Sequence, residues 1–109
     1  MNKIYMAMGM PELLAQLAEE ATELAQAALK LRRVVDGKNP TPVKYDDALE
    51  NLHEEIADVF LVIDVLEISE GIGKILARMK AKRTRWENRL NESNPDDCEN
   101  KTESGLLED

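Results

Sequence analysis

Cysteine occurs once, at Cys98, which excludes an intrachain disulfide and any metal motif built on paired cysteines. Aromatic residues make up only 4% of the chain, so its core must be aliphatic. Four prolines and five glycines in 109 residues leave long uninterrupted runs between breakers. No apolar run reaches the roughly 20 residues needed to span a bilayer. The longest, Ile56 to Leu66, is interrupted by Asp58 and Asp64. The first residues have no apolar stretch of signal-peptide type. These absences predict a cytoplasmic protein with no membrane partner, consistent with a reducing compartment.

Ala, Leu, Glu, Lys and Arg fill the space those residues leave, and all five favour helix. Residues 1–9 form a short lead with several apolar side chains, and Pro11 suits the first turn of a helix. Leu13, Leu17, Leu24 and Leu31 recur at helical spacing, so helix one is expected to run to about Arg33. Asp36 to Pro42 reads as a loop, with Thr41 as a candidate cap of helix two. Asp46 and Asp47 suit the first turn of that helix, which should end near Leu66. Ser69 is a candidate cap for a third helix, and its pattern is clear from Ile75 through Leu90. The expected fold is all-α, a bundle of three to four helices per chain whose core is completed by oligomerisation. A second helix apolar nearly all round leaves more surface than one small chain can cover, so a homodimer or homotetramer is expected.

Charge is unevenly spread. Residues 91–109 carry seven acids and one base, which leaves only −2 of the net charge of −8 for the first 90 residues. The sequence therefore divides into a helical domain, 1–90, and an acidic tail, 91–109, expected to be disordered. From Lys74 to Arg89 there are seven bases against the single acid Glu87. An acidic protein is a poor binder of polymeric nucleic acid, but a local basic segment suits a small phosphate ligand.

Two acid pairs carry the chemistry. Glu20 and Glu23 are three residues apart on helix one, and Glu55 and Asp58 are three apart on helix two, so each pair shares a face. Glu20 stands where the leucine stripe calls for an apolar residue, and Asp58 interrupts the run Ile56 to Ile63. A carboxylate in an apolar face is costly unless it is paired or binds a metal. Mg²⁺ prefers hard oxygen ligands and keeps waters that exchange with substrate phosphates. The neighbouring Glu19 and Glu54 lie about 100° around each helix and suit solvated or supporting positions.

These residues resemble the motifs of MazG-like nucleotide pyrophosphohydrolases. The segment Leu17 to Ala28, around Glu19-Glu20-Ala21-Thr22-Glu23, is similar to the first motif. The segment Asn51 to Asp64, around Glu54-Glu55-Ile56-Ala57-Asp58, is similar to the second. The resemblance covers about residues 10–90 and reads ExxE followed by ExxD. It implies a helical bundle, assembled from dimerised or further associated chains. It implies Mg²⁺, with Mn²⁺ as a substitute, held by Glu20, Glu23, Glu55 and Asp58. The implied activity is hydrolysis of a (deoxy)nucleoside triphosphate between the α- and β-phosphates, in a housecleaning role. It further implies phosphate-binding bases on the following helix, for which Lys82 and Arg85 are the best matches. The stretch between Glu23 and Glu55 is long for the family and reads as an insertion. Lys80 stands where relatives often carry an asparagine ahead of the basic lysine.

Lys82 and Arg85 share a face by their spacing. Trp86 suits core or interface packing better than base stacking. Asp64 is a candidate for a hydrogen bond across a subunit contact and has no catalytic role. Two other readings stay open. One is a non-catalytic helical oligomerisation module. The other is a di-iron bundle, because Glu50-Asn51-Leu52-His53 has ExxH spacing, although one chain carries it only once.

Overall fold

The computed structural model of the chain describes residues 1–37, 43–68 and 71–93. The fold is all-α; the described residues form three helices: α1, Lys3–Val35; α2, Tyr45–Val65; and α3, Ile72–Ser93. Backbone packing divides the chain into two units, Met1–Glu70 and a second beginning at Gly71. That boundary falls inside the span 1–90 expected from sequence as one domain.

In the first unit α1 and α2 form an antiparallel hairpin. The start of α1 is tied to the end of α2 by Asn2, whose side-chain amide donates to the Val65 carbonyl at 2.9 Å and to Glu67 at 2.7 Å. The same side chain caps α1 by accepting from the Tyr5 N–H at 2.7 Å. One residue thus satisfies an orphan helix donor and fixes the hairpin register.

Helix one starts earlier than its leucine pattern suggests, because Lys3–Met8 is already helical. Gly9 then breaks the helix at φ 82°, ψ 161°, a conformation essentially restricted to glycine. Pro11 follows in the first turn after the break, where its missing N–H does no harm. The lead residue Tyr5 packs on the core, whereas Met1, Ile4, Met6 and Met8 are exposed. At the far end, the Asp36 N–H bonds the Arg32 carbonyl at 2.9 Å, and Gly37 at φ 72° turns the chain out.

Helix two begins at Tyr45, with Asp46 and Asp47 in its first turn as expected; Lys44, not the expected Thr41, holds the cap position and makes no side-chain cap hydrogen bond. It closes through Leu66, and Glu67 at φ 58° ends it. Leu13, Val62, Val65 and Leu66 form the buried core, with Tyr5 and Leu17 packed against it. Ala27 and Ala48 are buried on their own helices and give α1 and α2 small surfaces at that level. Within the first unit, α1 does not enclose the run Ile56 to Ile63: Phe60 is 67% exposed and Leu61 55%.

Helix three starts close to its expected position but runs on to Ser93. The Ser93 hydroxyl donates to the Arg89 carbonyl at 2.9 Å and so satisfies a helix-end acceptor. Residues 91–93 are therefore helical, a correction to the tail boundary read from composition. The rest of the expected tail, 94–109, and the candidate caps Thr41 and Ser69 lie outside the described residues. Among the described residues, no helix is long and apolar enough to cross a membrane.

Candidate metal centre

The antiparallel hairpin brings the two acid pairs to one level. Glu20, Glu23, Glu55 and Asp58 each offer one carboxylate oxygen, and these four atoms lie within 4.8 Å of one another. Spacing of three within each helix turns both members of a pair to the partner helix. Divalent ions with metal–oxygen bonds of about 2.0–2.6 Å span oxygens roughly 4–5 Å apart, which matches this spread.

The pairs are graded in burial. Glu20 and Glu55 are half-buried, whereas Glu23 and Asp58 are exposed. Oε2 of Glu20 and Oε2 of Glu55 are both enclosed by protein and have no hydrogen-bond partner. Leaving two such acceptors unpaired is costly, and a cation between them removes the cost. The other oxygen of Glu20 accepts from the Gln16 side-chain amide at 2.7 Å, which orients the carboxylate from one turn earlier on α1. The donor set is all carboxylate oxygen, the chemistry of Mg²⁺, Mn²⁺ or Ca²⁺ rather than of soft metals.

Electrostatics point the same way. The Glu23 carboxyl is raised above the ordinary value of 4.5, chiefly by the negative charge of Glu20. Burial, a hydrogen bond with Glu20 and the charges of Glu55 and Glu19 add to the shift. A raised carboxyl at Glu23 is the expected result of like charges brought together on two helices.

Beside the cluster lies an open groove of about 600 Å³, lined by Glu23, Gln26, Ala27, Lys30 and Arg33 of α1 and by Asn51 and Glu55 of α2. Sequence reading passed over Lys30 and Arg33. The available signal was spacing: Lys30, seven residues after Glu23, lies about 20° from its direction, and Arg33, ten after, lies about 80° around the helix.

Glu19 and Glu54 are exposed, in keeping with solvated positions. His53 and Glu50 are exposed on α2, and among the described residues His53 belongs to no group of converging ligands. Asp64 is exposed. Lys82 and Arg85 lie on α3, in the second unit, and with Trp86 and Arg89 they line one open groove of that helix. Trp86 is 64% exposed, so within its own unit it is not a core residue. Compared with models of protein families, with curated proteins and with solved structures, the chain finds no match.

Proposed function

We propose that the protein is a Mg²⁺-dependent nucleoside triphosphate pyrophosphohydrolase. It cleaves the α–β phosphoanhydride to give a nucleoside monophosphate and pyrophosphate. The observation that carries this reading is the convergence of Glu20, Glu23, Glu55 and Asp58 with two enclosed, unpartnered oxygens. The similarity of the same four residues to the ExxE and ExxD motifs of MazG-like enzymes supplies the cleavage position. A cytoplasmic housecleaning role and a homodimeric or homotetrameric assembly belong to the same proposal. The exposure of Phe60 and Leu61 supports the assembly.

Each residue has a part in the chemistry. Glu20, Glu55, Glu23 and Asp58 would hold the cation, the first two being half-buried and the last two exposed. Gln16 keeps Glu20 from rotating away. When bound, such an ion would supply activation of water and charge compensation for the phosphates. Water attacks a phosphorus of the α–β anhydride, a carboxylate of the cluster accepts its proton, and the bridging P–O bond breaks to release the nucleoside monophosphate and pyrophosphate. Such transfer depends mainly on positioning and electrostatics, so a small side-chain inventory suffices.

The test is a panel of ribo- and deoxyribonucleoside triphosphates with Mg²⁺, read for monophosphate plus pyrophosphate. Activity should require Mg²⁺ and be lost in Glu55→Gln and Asp58→Asn. Release of orthophosphate and diphosphate refutes the cleavage position. Full activity in either variant removes the metal assignment. No turnover and no Mg²⁺-dependent rise in Tm favours a non-catalytic helical module.

A further inference from the structure

The cations that line a groove with members of the acid cluster are not those the motif resemblance selects. Lys30 and Arg33 line the groove that Glu23 and Glu55 border, together with Gln26 and Asn51. Neither cation has an ion pair or a side-chain hydrogen bond to any described residue. Arg32, which shares the last turn of α1 with Arg33, does not line the groove. The face therefore presents two cations selectively, rather than by general enrichment of bases at a helix C-terminus.

Geometry orders these groups along α1. Lys30 lies about 10 Å beyond Glu23 along the helix axis and Arg33 about 15 Å, at 1.5 Å per residue. Their long side chains shorten those gaps. A chain of phosphates held at one end beside the carboxylates would thus meet ammonium first and guanidinium second. Gln26 and Asn51 add side-chain amides that can donate to phosphate oxygens. At about 600 Å³ the groove is of ordinary size for a small-molecule site.

We infer that the groove of Gln26, Lys30, Arg33 and Asn51 is the subsite for the terminal phosphates, the pyrophosphate end of the substrate. Lys30 and Arg33 are its charged contacts. The inference rests on the proposed pyrophosphohydrolase reading for the identity of the ligand. It also gives the substrate a direction, with terminal phosphates toward the C-terminal end of α1. Pyrophosphate needs a cation on the cluster to approach Glu23 and Glu55, so its binding is Mg²⁺-dependent. The guanidinium is suited to bidentate contact with phosphate, and the ammonium acts as a point charge.

Direct binding of inorganic pyrophosphate, measured by calorimetry with and without Mg²⁺, tests this without turnover. Lys30→Gln/Arg33→Gln should weaken binding about tenfold or more, the scale expected for lost charge-assisted hydrogen bonds. Arg32→Gln should stay within about twofold of wild type on the same scale. Mn²⁺ binding, followed by electron paramagnetic resonance, should be retained in the double variant and so report an intact hairpin. Unchanged pyrophosphate binding in the double variant overturns the inference, as does an equal loss in Arg32→Gln. So does the absence of Mg²⁺-dependent pyrophosphate binding in wild type. Pyrophosphate binding that depends on Lys30 and Arg33, in a protein that hydrolyses no triphosphate, upholds the subsite and sinks the proposed activity.

Discussion

Gln16 and Glu23 occupy opposite ends of the electrostatic arrangement at the site. Gln16 donates to one oxygen of Glu20 and leaves the other aimed into protein without a partner. Removing that amide frees the carboxylate to turn toward water. Gln16→Ala should therefore weaken Mg²⁺ affinity by about 10–100-fold, as loss of a ligand-orienting hydrogen bond typically does. Titration of Mg²⁺ followed by Tm reads it directly. An unchanged midpoint would show that Glu20 is held by other means. Glu23 carries the opposite effect, since its carboxyl is raised chiefly by the charge of Glu20. A raised folded-state value means that Glu23 favours the folded state most below its ordinary 4.5. That contribution is lost as pH rises through the raised value. Without metal, the wild-type protein should lose stability in this window, above the ordinary carboxylate range. Glu23→Gln should remove that loss, raising Tm at pH 7 and changing it much less at pH 4. Thermal melts in chelator at the two pH values check the sign.

The hairpin depends on an interruption as much as on its helices. Gly9 at φ 82°, ψ 161° lets the Lys3–Met8 segment join the longer part of α1 at a break, while Asn2 anchors to Val65. A Cβ there meets nothing closer than the Pro11 ring at 3.9 Å, so space is not the obstacle. The backbone conformation is. Gly9→Ala should destabilise the protein by about 1–3 kcal/mol, the cost of holding a non-glycine residue in that region. Urea unfolding measures it, and an equally stable variant would mean that the break relaxes. Leu13, only 1% exposed, anchors the core just beyond the break. Leu13→Ala should cost about 2–5 kcal/mol by the same measurement. Much of this element was legible from sequence, because leucine spacing and Pro11 marked α1, and Asp46 and Asp47 marked the start of α2. The early start was not, since Asn2 acts through a carbonyl 63 residues away. The acid pairs were legible because each intrudes on an apolar pattern. Lys30 and Arg33 were not, because bases near a helix C-terminus are common and only the facing Asn51 and Glu55 make a groove of them.

For the whole molecule the decisive quantity is apolar surface left uncovered. The buried core of the first unit consists of Leu13, Val62, Val65 and Leu66. Phe60 and Leu61 lie beside Val62 in sequence, yet they are 67% and 55% exposed. Periodicity accounts for this contrast. One partner helix can cover only one stripe of α2, and a run apolar nearly all round needs a second neighbour. The proposed assembly would supply that neighbour from another copy of the chain, as in bundles whose core is shared between subunits. Light scattering at micromolar concentration should give at least twice the 12.3 kDa chain mass. Leu61→Glu places a charge in the shared core and should shift the population toward monomer. The four ligand oxygens lie within one hairpin, so a monomerised but folded variant should still take up Mn²⁺. Wild type that stays monomeric at that concentration removes the shared core. If Mn²⁺ binding disappears together with the dimer while helicity persists, the metal centre depends on the partner chain as well as on its own four acids.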